Sequence, residues 1–277
     1  MVTRKDYGSE GVEAARSVMI ELAHLLAEYR NYLVIIGGWV PELLFPEKDP
    51  PHVGSIDVDL ALDHRHLQEE GYKTIHGLLL GRGYKQGSQP FIFRRDVEIG
   101  GRVISVQVDL LAGEYEGTVR SHRHQRVQGV HARKVRGCDI AFNDPKEVTI
   151  DGELPGGGKD SVQVKVASIT SFLVMKGIAL DERLKEKDAY DIYFCVQNYP
   201  GGLDGLAEEL KSHLHHGLVR EGLAKIAKHF ASPRHVGPKS VADFEGIIEP
   251  EDREQIQRDA YERIHYVLQK SGIGNEP

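Results

Sequence analysis

The chain has 277 residues, of which 40% are hydrophobic and 28% charged, and its formal net charge is −7. These values are ordinary for a globular protein with one large core and a smaller second one. The acidic balance excludes a protein that binds nucleic acid over its whole surface, although it leaves room for a local basic patch. Cys138 and Cys195 fit no disulfide framework and no zinc-ligand spacing. The sequence shows no signal peptide and no bilayer-spanning run, which predicts a cytoplasmic protein without a membrane partner.

The first predicted element is an amphipathic helix over Gly11–Tyr29, because valine and leucine recur there at helical spacing. Its outer face is expected to carry Arg16, Glu21 and Glu28. The helix is expected to pack on a sheet that begins at Tyr32.

A strand is predicted over Leu33–Ile36, where a short apolar run stops at Gly37 and Gly38. Without a Cβ, these glycines allow backbone N–H groups to approach an anion closely. Residues 39–45 predict a helix, whose N-terminus would add its positive dipole end to the same place. Two consecutive glycines also occur in ordinary turns, and that alternative stays open.

A second strand with two acidic residues is predicted after a proline-bracketed loop. Because side chains alternate along a strand, Asp57 and Asp59 are expected on one face and Ile56, Val58 and Leu60 in the core. Two neighbouring carboxylates repel each other unless a hard divalent cation lies between them. The alternative is an acidic pair on a solvated face.

Gly37 and Gly38, followed by Ser55-Ile56-Asp57-Val58-Asp59-Leu60, resemble the signature of the DNA polymerase β-like nucleotidyltransferase superfamily. The long spacer is similar to that of AbiEii-type nucleotidyltransferases, which include toxins of toxin–antitoxin and phage-defence systems. The Gly-Gly-Trp run is also similar to aminoglycoside and lincosamide nucleotidyltransferases, and Gly-Gly-Trp-Val to CCA-adding enzymes. This first motif alone does not separate these groups.

The next predicted element is a helix over His66–Leu80, which ends at Gly81-Arg82-Gly83. Two strands are predicted after it, Phe91–Arg95 and Arg102–Leu111. The strands are expected to pair around a Gly-Gly turn. Asp109 is the charged residue of the apolar stretch Val106–Leu111, where burial would be costly without a partner or a metal. The resemblance implies a third carboxylate from a neighbouring strand, and Asp109 matches that place. An edge-strand acid in water is the alternative.

Residues 114–136 are polar and rich in arginine and histidine. Arg120 to Arg136 predict either a loop that faces phosphate or RNA, or a solvated variable loop. Two short strands are predicted within Ile140–Glu153. The expected fold is α/β (α+β): a twisted mixed sheet with antiparallel pairs and flanking helices over residues 1–163, then a helical C-terminal domain over 164–277.

In the second half, a helix is predicted over Val166–Leu180 and a second over Lys187–Phe194. Lys176 lies on the apolar stripe of the first helix, where it needs an anion. Asp188 and Asp191 lie on adjacent flanks of one face of the second. The alternative is that these acids merely favour a helix start.

The second motif sharpens the resemblance. Lys187-Asp188-Ala189-Tyr190-Asp191-Ile192-Tyr193, with Lys176 at the matching distance before it, is similar to the Lys/Arg-Asp-x-x-Asp helix of AbiEii-type proteins. Drug-modifying and CCA-adding enzymes lack this element. Four more helices are expected after Gly202, and no chemistry is assigned to them.

The resemblance implies transfer of an NMP from an NTP to an acceptor hydroxyl, in an RNA end such as that of tRNA or in a protein. Gly37, Gly38 and Ser55 would bind the triphosphate, with Lys176 and Asp188. Two Mg²⁺ ions, or Mn²⁺, would be held by Asp57, Asp59 and Asp109. Lys176 and Asp191 would complete the catalytic set, and a cognate antitoxin would be the protein partner. The sequence keeps two alternatives open: a small-molecule nucleotidyltransferase, and a non-catalytic nucleotide-binding or antitoxin-like protein.

Overall fold

The computed structural model describes residues 2–67, 74–114 and 124–274. The chain divides into two compact units. The sheet unit comprises Tyr7–Leu44 and Val53–Ser168. The helical unit comprises the segment ending at Asp6, residues Phe45–His52 and the chain from Ile169 onward. The main division therefore follows Ser168, five residues beyond the boundary expected after residue 163.

The sheet unit is built on a mixed sheet with the strand order β3-β4-β5-β2-β1-β9-β8, and a β6–β7 hairpin is attached to β5. The β2–β5, β1–β9 and β5–β7 pairs are parallel, and the other pairs are antiparallel. The α/β fold class is thereby confirmed. The strands are β1 Leu33–Ile36, β2 Asp57–Leu62, β3 Lys85–Gln86, β4 Ile92–Ile99, β5 Arg102–Ala112, β6 His124–Val127, β7 Val130–Lys134, β8 Lys146–Glu153 and β9 Lys159–Val166.

Three α-helices of the sheet unit are α1 Ser9–Leu25, α2 Val40–Leu44 and α3 Ile75–Gly81. Helix α1 confirms the first predicted helix, and its buried stripe includes Val18 and Leu22. The prediction that Glu21 lies outside is wrong: Glu21 is 3% exposed and accepts hydrogen bonds from the guanidinium groups of Arg82 and Arg95. These two charges replace the water that the carboxylate loses on burial.

Other predictions for the sheet unit need correction. Helix α3 covers only the end of the helix expected over 66–80; residues 68–73 lie outside the described part. Ile56 precedes β2 and is 44% exposed, so it does not belong to the core. Residues 140–153 hold the end of a 3-10 helix and one strand, β8, not two strands. The arginine-rich stretch includes the β6–β7 hairpin, while residues 115–123 lie outside the described part.

The helical unit contains the helices that periodicity predicted in the second half of the chain, although the first begins at Ile169 and not at Val166, which belongs to β9. The first two form the pair that carries Lys176 and the two aspartates. Among the described helices, none has the length and apolar character needed to cross a bilayer. The helices are α4 Ile169–Arg183, α5 Glu186–Asn198, α6 Gly202–Ser212, α7 Gly217–His229, α8 Val236–Glu245 and α9 Pro250–Ser271.

Candidate functional site

Strand β2 presents its acids and its apolar residues to opposite faces of the sheet. Val58 and Leu60 are buried, whereas Asp57 and Asp59 are partly exposed. This alternation follows from the pleat of the strand. Two carboxylates are therefore held on one face by a backbone that is paired on both sides, with β1 and with β5.

Strand β5 brings the third carboxylate to the same face. In the parallel β2–β5 pair, Asp59 is the register partner of Asp109, and Asp57 is the partner of Gln107. Register partners on neighbouring strands point to the same side of a sheet. The structure thus brings Asp57, Asp59 and Asp109 together on one face of two adjacent strands.

The electrostatic environment of Asp109 reflects this arrangement. Burial is the main cause that raises the pKa of its carboxyl above the ordinary value, and the negative charge of Asp57 raises it further. Gln107 acts in the opposite direction: its Nε2 donates to both carboxylate oxygens of Asp109, at 3.0 and 3.2 Å. The charges of Arg133 and Arg94 also lower this pKa.

Asp57 is fixed at the start of β2 by two contacts. The hydroxyl of Ser55, itself 4% exposed, donates a short hydrogen bond to Oδ1 of Asp57. The indole Nε1 of Trp39 donates to the backbone oxygen of Asp57 at 2.8 Å. The glycine turn that contains Trp39 is thereby tied to the acid strand.

Gly37 meets Asp59 at the other side of the turn. Gly37 has φ +71°, and a Cβ built on it would overlap the carboxylate of Asp59. Both the left-handed backbone and the close approach require glycine here. The segment Gly37–Trp39 forms a 3-10 helix, followed by the five-residue helix α2, so the expected helix over residues 39–45 is shorter than predicted.

Two arginines lie near the acids: Arg94, which sequence reasoning missed, and Arg133, which belongs to the basic stretch 120–136 expected to face phosphate, RNA or solvent. Arg94 on β4 is the register partner of Gln107 and donates to its Oε1 at 3.2 Å. The guanidinium group of Arg133 on β7 lies 5.8 Å from the centre of the Phe91 ring. Both arginines are exposed, and the charges of both act on Asp109. The register around the Gly-Gly turn could have located Arg94.

The donor chemistry of the acidic face fits a hard divalent cation, since carboxylate oxygens are the ligands that Mg²⁺ prefers. As arranged in the described residues, however, no group of three or more His, Cys, Asp or Glu side chains could hold a metal ion. Ser55 and Gln107 instead satisfy oxygens of Asp57 and Asp109. Metal ligation would require these side chains to turn on a fixed backbone.

In the helical unit, Lys176 on α4 is buried between the two aspartates of α5. Its Nζ lies 2.8 Å from Oδ1 of Asp188 and 2.8 Å from Oδ2 of Asp191. The Asp191 side chain is 0% exposed and that of Lys176 9%. The anion that a lysine on this stripe needs is therefore supplied by the chain itself. These contacts would also fix the orientation of Lys176.

Three further groups complete this buried cluster. Lys187 Nζ donates to the two oxygens of Asp191 at 3.0 and 3.2 Å, and His52 Nε2 lies 2.9 Å from Asp191 Oδ1. Arg183 donates twice to Asp188, at 2.7 and 2.9 Å. His52 also stacks on Tyr190. His52 was not predicted, because it lies in a loop far from α5 in sequence.

The cluster shifts several pKa values. Burial alone would raise the pKa of Asp191, but Lys176 and Lys187 outweigh it and hold that pKa well below the ordinary value. Burial lowers the pKa of Lys187, with partial compensation by Asp191. Burial also lowers the pKa of His52 to about 4, so its imidazole is neutral at neutral pH. Because His52 is neutral, the basic groups that contact the carboxylates of Asp188 and Asp191 are those of Lys176, Lys187 and Arg183.

Comparisons with protein-family models, with curated proteins and with solved structures found no match for this chain.

Proposed function

We propose that the chain is a metal-dependent nucleotidyltransferase that transfers an NMP from an NTP to an acceptor hydroxyl. The observation that carries the proposal is the register of β2 and β5, which puts Asp59 opposite Asp109 with Asp57 on the same face. A purely structural role gives no reason to keep three carboxylates so close, because they repel one another. Two-metal phosphoryl and nucleotidyl transfer uses such a set.

Asp57, Asp59 and Asp109 would hold Mg²⁺, with Mn²⁺ as a substitute. When bound, the metal would supply positive charge to the phosphate oxygens. The remaining groups act as supports. Ser55 positions Asp57, and Gln107 positions Asp109. Gly37 allows the backbone to lie close to Asp59, where a side chain would collide with the carboxylate.

In the proposed reaction, the acceptor oxygen forms a bond to the α-phosphorus, and the bond from that phosphorus to the bridging oxygen of the β-phosphate breaks. Pyrophosphate leaves with the bonding electrons. The acceptor proton passes to a carboxylate, for which Asp109 is the candidate because it lies on the same face of the sheet as Asp57 and Asp59. The assignment of Lys176 to the triphosphate depends on the resemblance alone; within the helical unit, its Nζ contacts Asp188 and Asp191.

We propose an RNA end, such as that of tRNA, as the acceptor. Arg94 and Arg133 support this choice, since both lie beside Asp109 and guanidinium groups bind phosphate oxygens well. A protein hydroxyl is the competing acceptor. The assignments as a cytoplasmic toxin and to a cognate antitoxin depend on the resemblance alone.

The test is nucleotide transfer by the purified protein. Each α-labelled NTP would be incubated with the protein and Mg²⁺, with and without total tRNA, and labelled RNA and labelled protein would be separated. Asp57→Asn should abolish transfer and keep the fold, as measured by circular dichroism. Asp151→Asn, an exposed acid on β8, is the matched control and should transfer normally.

Transfer that survives Asp57→Asn would contradict the proposed acid set. Transfer to protein rather than RNA would keep the enzyme class and replace the acceptor. Failure of the wild-type protein to bind or transfer any NTP would remove the enzyme assignment.

A further inference from the structure

A cavity of about 290 Å³ lies in the sheet unit, on the sheet face opposite to the acids. Its walls include Leu22 and Leu26 near the end of α1, Ile35 from β1 and Leu60 from β2. Ile35 and Leu60 are antiparallel register partners and therefore share a face. The adjacent pair, Ile36 and Asp59, points the other way, so the cavity is separate from the candidate active site.

The strand pairing explains why side chains do not fill this space. The described pairing between β1 and β9 is the single pair Ile35↔Val166, whereas β9 pairs with β8 along its whole length. The sheet therefore opens on the N-terminal side of Val166, between β1 and β9. Residues of both strands, including Leu33 and Val164, line the opening.

The cavity combines apolar walls with a charged mouth. The charged lining residues are Arg30, Lys165 and Glu147; all three are exposed or partly exposed, so we call them the mouth, and together they carry one net positive charge in a chain whose net charge is −7. Lys165 Nζ donates to Oδ1 of Asn31 at 3.3 Å. Arg30 is exposed and makes no hydrogen bond or ion pair with the described residues. Its guanidinium group can bind a carboxylate through two parallel hydrogen bonds.

We propose that this cavity binds a medium-chain aliphatic monocarboxylate, with the chain among the apolar residues and the carboxylate at Arg30 and Lys165. The volume corresponds to roughly ten water molecules, or an aliphatic chain of about eight to ten carbons. A single terminal anion matches the one net positive charge of the mouth. A bulky polyanion such as a nucleotide would place phosphates against apolar walls and Glu147. This inference does not depend on the proposed transferase activity.

The experiment is a calorimetric titration of the full-length protein with hexanoate, octanoate and decanoate, and with decanol and decyltrimethylammonium. Each buried methylene should tighten binding about fourfold, because it contributes about 0.8 kcal/mol. Decanol should bind more weakly than decanoate, and the cationic amphiphile should bind weakest.

Two variants locate the site. Arg30→Gln should weaken decanoate binding about tenfold, because a hydrogen bond to a charged group is lost. Arg102→Gln, an exposed arginine in the sheet unit that is not among the lining residues, should leave binding unchanged. Ala23→Phe, which extends a side chain into the cavity, should abolish binding. If that variant does not fold, Ala23→Leu should shift the preferred chain length downward.

Binding of decanoate that is unaffected by both Arg30→Gln and the Ala23 variants would overturn the proposal, as would the absence of measurable binding. Equal affinity for decanoate and decanol would show that Arg30 and Lys165 do not bind the carboxylate, and would overturn that part of the proposal. Loss of nucleotide transfer by Asp57→Asn tests the other face of the sheet, so the two proposals can fail independently.

Discussion

Asp59 on β2 and Asp109 on β5 are register partners in a parallel pair, although fifty positions separate them in sequence. Their carboxylates are brought to one face by the backbone, before any side-chain contact is considered. Burial raises the pKa of Asp109, and Asp57 adds a third negative charge that raises it further. The sheet therefore maintains an electrostatic repulsion that a bound cation would relieve.

Removing one charge from this face should stabilise the metal-free protein. We expect Asp109→Asn to raise the melting temperature in EDTA by about 2–4 °C, which corresponds to roughly 1 kcal/mol in a chain of this size. In excess Mg²⁺ the wild-type protein should gain more stability than the variant, because a ligand stabilises the state that binds it. Differential scanning calorimetry measures both effects.

Asp151→Asn is the control for this experiment, since Asp151 is an exposed acid on β8. It should change neither the melting temperature in EDTA nor the response to Mg²⁺. Identical Mg²⁺ responses of wild-type protein and Asp109→Asn would contradict a metal site that includes Asp109.

The placement of Asp109 could be predicted only in part. The β4–β5 hairpin follows from its Gly-Gly turn, and the turn fixes which residues face each other, including Arg94 and Gln107. The pairing of β5 with β2 could not be predicted in this way. The two strands are parallel and a long connection separates them, so no turn sets their register. The resemblance supplied that step.

The buried charges were harder to predict. Periodicity correctly located α4 and α5. However, an acidic residue in a helix is predicted to be exposed unless the partner of its charge is known. Glu21 was predicted outside and is buried, because Arg82 and Arg95 reach it from distant segments. His52 likewise contacts Asp191 from a segment that is distant in sequence. Local pattern carries no information about such long-range partners.

The α4–α5 cluster should be essential to stability. Asp191→Asn would leave Lys187 without the carboxylate to which it donates and Lys176 with one acid fewer. We expect a cost of about 3–5 kcal/mol in the free energy of unfolding, the range for breaking one side of a buried pair. The ion pairs lower the folded-state pKa of Asp191, so this contribution is present above about pH 4 and is lost as the pH falls further.

A double-mutant cycle separates charge balance from packing. Adding Lys187→Met to Asp191→Asn should recover part of the lost stability, with a coupling energy above roughly 1 kcal/mol, because an uncompensated charge is removed as well. Urea denaturation at neutral pH gives the four free energies. Additive effects of the two substitutions would show that the Lys187–Asp191 pair contributes little.

His52 should make the stability depend on pH in a defined window. Its pKa is lowered to about 4 in the folded state, so stability is fully present above the unfolded-state value near 6.5 and is lost as the pH falls towards 4. Between about pH 8 and about pH 5, the wild-type protein should lose about 2 kcal/mol more than His52→Gln. Denaturation at both pH values measures this difference. His215→Gln, at an exposed histidine, should behave like the wild-type protein; equal losses in all three proteins would exclude His52 as the source.

Gly37→Ala should damage the turn that faces Asp59 through two separate effects. The φ of +71° disfavours any residue with a side chain, and the added Cβ would overlap the Asp59 carboxylate. Gly101→Ala isolates the first effect, because Gly101 has φ +80° but a Cβ there would meet nothing within 4 Å. We expect Gly101→Ala to cost about 1 kcal/mol and Gly37→Ala at least about 2 kcal/mol more. Urea denaturation gives these values. NTP transfer should fall in the Gly37 variant alone. Equal costs for the two substitutions would mean that Asp59 is not packed against the turn.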